Sequence, residues 1–180
     1  NDCANSLKRL VFNSIHKICR LFLYRTGTEF YGASRLAGEW AFPKRIVDSN
    51  RFHVVVSGID TQKYTFNQHI RDDVRRELQI EDSFVVGHAG TFTYVKNHGF
   101  LLEVFREIYK KDSKAVLLLI GAGEEMEIIK KKVRQYGLES AVRLTGWRND
   151  VDRLLQGMDF FVLPSHFEGL SMISLEAQAA

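Results

Sequence analysis

The chain has 180 residues, of which 45% are hydrophobic, and a formal net charge of +3; that is enough apolar content for one domain, or for one domain and part of another. So small a charge gives nucleic-acid binding no support, and neither an RNA-binding nor a helix-turn-helix motif is present. The two cysteines, Cys3 and Cys19, are too few for a disulfide framework and form no C-x-x-C pair, which fits a reduced cytoplasm, and no apolar run approaches the roughly eighteen residues that span a bilayer.

Leu7 to Arg25 places Leu7, Leu10, Val11, Ile15, Ile18 and Phe22 at helical spacing among basic residues, with no acid. Such a basic amphipathic helix either faces a core with a solvated rim or lies on an anionic membrane surface, a peripheral contact. Glu29 to Ala33 reads as a short strand, and Ser34 as the cap of a helix over Arg35 to Phe42 that Pro43 stops. Phe52 to Val56 is a β-branched strand running into Ser57-Gly58-Ile59-Asp60, and Asn67 to Gln79 is a charged amphipathic helix. From Ser83 onward the pattern is regular. Strands over Phe84 to Ala89, Ala115 to Ile120, Ala141 to Thr145 and Phe160 to Leu163 alternate with helices over His98 to Lys111, Glu124 to Tyr136 and Val151 to Gln156. This order predicts an α/β fold, a Rossmann-like doubly wound parallel sheet with right-handed crossovers. A start without Met and a helix over Ser171 to Ala180 with no stop signal lead us to expect a fragment.

In such a sheet the loops at the carboxyl ends of the strands carry the ligand. The loop after the first strand, Gly90 to Asn97, offers a glycine for close backbone approach and Lys96 for an anion. Gly121-Ala122-Gly123 follows the next strand, but Met126 stands where a dinucleotide fingerprint needs its third glycine, so NAD is not expected. Gly146-Trp147-Arg148-Asn149-Asp150 follows the third strand: Trp147 either leans on a ligand or packs as a lid on the core, and Asp150 is placed to cap the next helix. After the fourth strand come Glu168, on the loop, and Glu176, on the helix that opens at Ser171. Ionised carboxylates accept hydrogen bonds from vicinal hydroxyls, and a helix start favours an anion. The six histidines show no metal-ligand spacing; His88 and His166 lie near the expected ligand loops, with a structural hydrogen bond the commoner role.

The string P-S-x-x-E-G-L-x-x-x-x-x-E-A, with Glu168 and Glu176 as its acidic pair, resembles the donor-sugar motif of family 4 glycosyltransferases, retaining enzymes of the GT-B fold. Upstream, LLLIGAGEE, VRLTGWRNDV and GMDFFVLPS are similar to consecutive blocks of that family, FYGASRLAGEWAF to the end of its first domain, and Ser57 to Asp60 to its linker. The resemblance implies residues 1–62 as the end of an acceptor domain with its linker, and 63–180 as an incomplete donor domain.

It further implies a nucleotide diphosphate sugar, most commonly a UDP-sugar, as donor. The acceptor would be a hydroxyl of a glycan or lipid-linked acceptor, in polysaccharide or capsule assembly, with no metal or other cofactor and no nucleic acid. Glu168 would contact the transferred sugar, Glu176 the ribose, and Trp147 or Arg148 the base, while backbone N–H groups of Gly169, Leu170 and Ser171 would serve sugar and phosphate. Gly90 and Lys96 fall in a block similar to the family's G-R-F-x-x-x-K motif, and Lys96 and Glu168 are the catalytic assignments. One departure stands out: Thr91 occupies the place of the arginine, and a hydroxyl binds phosphate without neutralising it. Hence the alternative of a non-catalytic nucleotide-sugar binding module with a degenerate phosphate site. A GT-B epimerase is disfavoured by the P-S-x-x-E-G block, and a membrane-surface protein would rest on Leu7 to Arg25 alone. The resembled family's catalytic histidine lies in its other half, so this chain by itself is expected to be inactive.

Overall fold

A computed structural model describes residues 11, 14, 15, 18, 19 and 22–180; the amphipathic helix expected over Leu7 to Arg25 falls mostly outside the described residues. The chain divides into two compact units, one ending at Gly58 and one running from Ile59 to Ala180.

In the first unit, β1 (Phe30–Gly32) pairs in parallel with β2 (Phe52–Val54). Between them, α1 (Arg35–Ala41) starts where Ser34 Oγ accepts from the Ala37 N–H at 3.0 Å, and α2 (Lys44–Val47) follows Pro43. β2 is shorter than the apolar run 52–56 suggests, since its partner strand ends at Gly32 and the last ladder bond is Val55 N to Gly32 O at 3.0 Å.

The second unit begins with α3 (Thr61–Tyr64), capped by Asp60, and α4 (Gln68–Leu78), where Asn67 Oδ1 accepts from the His69 and Ile70 N–H groups at 2.9 and 3.3 Å. There follow β3 (Val85–Ala89), a 3₁₀ turn (Tyr94–Lys96), α5 (His98–Lys111), β4 (Val116–Ile120), α6 (Met126–Gln135), β5 (Val142–Gly146), α7 (Val151–Leu155), β6 (Phe160–Phe161) and α8 (Met172–Ala179). All pairings are parallel, in the order β5-β4-β3-β6. This is the doubly wound architecture that the alternating pattern predicts.

The continuous apolar run of β4 reflects burial on both faces. Leu117 and Leu119 pack with Phe92, Leu101, Phe105 and Ile129 on one side; Val116, Leu118 and Ile120 pack with Val74, Leu154 and Leu155 on the other. β6 is shorter than the predicted Phe160 to Leu163. Beyond Val162, whose N–H reaches Gly87 O at 2.8 Å, the chain is drawn toward the 3₁₀ turn by His166 N to Val95 O at 2.9 Å and Asn97 Nδ2 to Pro164 O at 3.2 Å. At the other end of β6, Asp159 accepts from the Val85 N–H at 2.7 Å and from Arg75 at 3.2 Å, and bonds Arg71 as well, fixing α4 to the start of two strands.

Candidate functional site

Successive strands step outward from β3 through β4 to β5, and the chain then crosses back to place β6 on the other side of β3. The helices that follow β3 and β6, α5 and α8, therefore pack on opposite faces of the sheet and leave a crevice at the carboxyl edge, where open α/β sheets hold ligands. A cleft of about 640 Å³ occupies that position.

Its floor is backbone. Gly90 N donates to Ile120 O at 2.9 Å and Phe92 N to Ala122 O at 3.0 Å, so the turns after β3 and β4 are stitched edge to edge. Gly121 adopts φ +135°, and a Cβ there would stand 2.1 Å from the Gly90 carbonyl oxygen; only glycine fits both the conformation and the contact. Gly90 and Thr91 line the cleft, Thr91 exposed to it.

Lys96 ends the 3₁₀ turn and donates to Glu168 Oε1 at 2.6 Å, while Ser165 Oγ donates to the same oxygen at 2.7 Å. The two charged side chains are 21% and 25% exposed, which makes this pair more than a loose surface contact. Burial pushes the Glu168 carboxyl up, but the Lys96 and Ser165 hydrogen bonds outweigh it and hold the group below the usual carboxylate range. Lys96 is thus no freely solvated helix-start residue.

Trp147 is 76% exposed at the rim, which rules out the core lid; it lines the cleft beside Arg148. Arg148 is engaged within the protein: Nε and Nη2 donate to the two Asp150 oxygens, each at 2.7 Å, and Nη2 also reaches Glu77 at 3.1 Å. The fork raises the pKa of Arg148 and holds Asp150 down at about 2. Asp150 stands at the N-cap position of α7, yet its carboxylate makes no capping bond, because Arg148 takes it. The cap predicted from sequence is corrected accordingly.

Leu170, Ser171 and Glu176 line the remaining wall; Gly169 is exposed and lies outside it. Ser171 is the N-cap of α8, and its Oγ, buried and without a protein partner, sits at the end of the helix that presents unpaired N–H groups. Lys63 and Tyr64 are among the lining residues that sequence reasoning missed. Tyr64 is 8% exposed among Ile173 and Ala177, which flank Glu176 on α8. Burial first, and then the Glu176 carboxylate, push its phenol up to about 12. No local signal marks them, since α3 reaches the cleft only through the fold.

His88 does not reach the cleft. It is fully buried, its Nδ1 donating to Val162 O at 2.8 Å, and His98, equally buried, stacks on Phe92 at 3.9 Å between ring centres. Burial lowers the pKa of both, that of His98 to about 3, so they are neutral. His166 stacks on Tyr94 at 4.6 Å. Among the described residues no cluster of three His, Cys, Asp or Glu could hold a metal ion, and no helix is long and apolar enough to cross a membrane.

EpsF of Bacillus subtilis, a protein named as a glycosyltransferase, is 29% identical over 164 residues, 91% of this chain and 43% of that protein. The UDP-Gal:alpha-D-GlcNAc-diphosphoundecaprenol alpha-1,3-galactosyltransferase of Escherichia coli is 28% identical over 178 residues, 97% of this chain and 46% of that one. Among solved structures, Anabaena Alr3699/HepE in complex with UDP and glucose superposes with a TM-score of 0.79 at 19% identity, over 91% of this chain and 45% of that one, a likeness of fold. The chain therefore spans less than half the length of these proteins. Residues 70–180, which carry the cleft's four strand-end loops, match the family described as glycosyl transferases group 1, and the chain belongs to that family.

Proposed function

We propose that this chain is the donor-binding part of a retaining glycosyltransferase that passes a sugar from a nucleotide diphosphate sugar to a hydroxyl of a glycan or lipid-linked acceptor. In this reading residues 63–180 form the donor domain, and residues 1–62 the end of the acceptor domain with its linker. The observation that carries it is the convergence, in one cleft at the sheet's switch point, of glycine turns, a lysine, a helix N-terminus and two carboxylates. Glycine turns admit the diphosphate to the backbone, and the start of α8, with Lys96, stabilises charge developing on the leaving diphosphate. Glu168 accepts from hydroxyls of the sugar and Glu176 from those of the ribose, with Trp147 stacking on the base. A UDP-sugar is the preferred donor, in keeping with the named substrate of the Escherichia coli relative.

Isothermal titration with UDP, GDP and ADP tests this. One nucleotide binds selectively, and Glu176→Ala weakens it by about tenfold, the worth of a charge-assisted hydrogen bond. Binding unchanged in that variant would remove Glu176 from the site.

Thr91 favours a second reading, a binding module whose phosphate site is degenerate, since no cation stands there. The Thr91→Arg variant separates the two. Under the transferase reading the arginine adds one charged contact beside Lys96 and α8, and nucleotide affinity rises by no more than about tenfold. A gain of a hundredfold or more would identify the native site as degenerate.

A further inference from the structure

Resting on the reading of the cleft as a nucleotide diphosphate sugar site, we propose that Glu168 distinguishes the loaded donor from the spent nucleotide by competing with the diphosphate for Lys96. The cations that line the cleft are Lys63, Lys96 and Arg148. Each already faces a carboxylate: Lys63 faces Asp152 at 3.7 Å, Lys96 faces Glu168 at 2.6 Å, and Arg148 faces Asp150 and Glu77. Thr91 adds no charge. Among the described residues, a diphosphate entering this cleft therefore meets no uncompensated side-chain cation until one of those carboxylates lets go.

Arg148 is held by a two-pronged fork, and Lys63 is a half-exposed cation only loosely paired with Asp152. Lys96 is the one that can be exchanged. Its carboxylate partner is also the group placed to accept hydrogen bonds from the sugar, and both bonds that Glu168 now accepts, from Lys96 and Ser165, fall on one oxygen. The backbones behind the pair are tied together by His166 N to Val95 O and Asn97 Nδ2 to Pro164 O, so the exchange needs side-chain rotation only.

With a loaded donor, sugar hydroxyls replace the ammonium as donors to Glu168, and Lys96 turns to the diphosphate. Once the sugar has been transferred those hydroxyls leave with it. Glu168, ionised and short of donors, reclaims Lys96, and the nucleotide diphosphate loses its cation and dissociates. The arrangement favours release of spent nucleotide and limits its inhibition of the next turnover.

The test is titration of the native chain, Glu168→Gln, Glu168→Ala, Lys96→Ala and the double variant Lys96→Ala/Glu168→Gln with UDP, GDP and ADP. Removing the Glu168 charge is expected to tighten binding of the bare nucleotide by about tenfold. The double variant is expected to bind like Lys96→Ala alone, because the gain passes through the ammonium. Binding seen only once the Glu168 charge is gone would support the proposal equally. Unchanged or weaker binding in both Glu168 variants, with Glu176→Ala still weakening the nucleotide, would overturn this inference and leave the nucleotide site standing. No binding to the native chain or to any Glu168 variant would overturn both.

Discussion

Asp159→Ala is expected to lower the unfolding free energy by about 3 kcal/mol, the low end for breaking a largely buried ion pair. The carboxylate is 24% exposed and compensates Arg71 and Arg75, the latter's side chain only 10% exposed. Truncation strands both guanidinium groups and leaves the Val85 N–H, now bonded at 2.7 Å, without its acceptor. Burial pushes the Asp159 carboxyl up, but the Val85 N–H and both arginines outweigh it and hold it below the ordinary range. A group depressed in the folded state contributes stability that is present above its unfolded pKa, about 3.9, and is lost as pH falls through the lower folded value. Urea unfolding at pH 7 and at pH 3 checks both parts: the gap between native and variant should narrow on acidification. An equal gap at both values would assign the loss to packing rather than charge.

Gly121→Ala is expected to have a comparable effect on stability and a larger one on binding. The added Cβ would stand 2.1 Å from the backbone carbonyl oxygen of Gly90, at a φ of +135° that side chains avoid. We expect a loss of about 3 kcal/mol or more, together with loss of nucleotide binding, because the turns after β3 and β4 must part. Gly137→Ala is the control. That residue also has positive φ, +65°, but nothing lies within 4 Å of its Cβ position, so about 1 kcal/mol is expected there. Similar losses in the two variants, measured by urea denaturation, would mean that conformation rather than contact decides.

The second unit was legible because each element announces itself locally. The helix read over Asn67 to Gln79 is α4 with Asn67 as its cap, and the VLLLI run, bounded by Lys114 and by Gly121, is a strand buried on both faces. β6 was read two residues too long because Val162 and Leu163 look like strand, and what withdraws them is a tertiary tie to the 3₁₀ turn. The site divides in the same way. Gly90, Lys96, Glu168, Ser171 and Glu176 were found from their places after strands, and the fold brings them to one cleft. That Arg148 is held by Glu77, a residue of α4 distant in sequence, and that Tyr64 stands beside Glu176, depend on how helices pack across the sheet. No periodicity encodes such contacts. Asp150 shows the reverse failure: a good capping residue in sequence, diverted by a neighbour two positions away.

Occupation of the carboxyl-edge cleft by a nucleotide is to be read from amide and indole NMR shifts of the chain during titration with UDP. We predict movement of the Gly90, Gly121 and Ser171 amides and of the Trp147 indole. Resonances at the hollow near Ser113, Lys114 and Ser140, beside the starts of β4 and β5, should stay still. Shifts confined to that hollow, or saturable binding that leaves the cleft resonances unmoved, would contradict it.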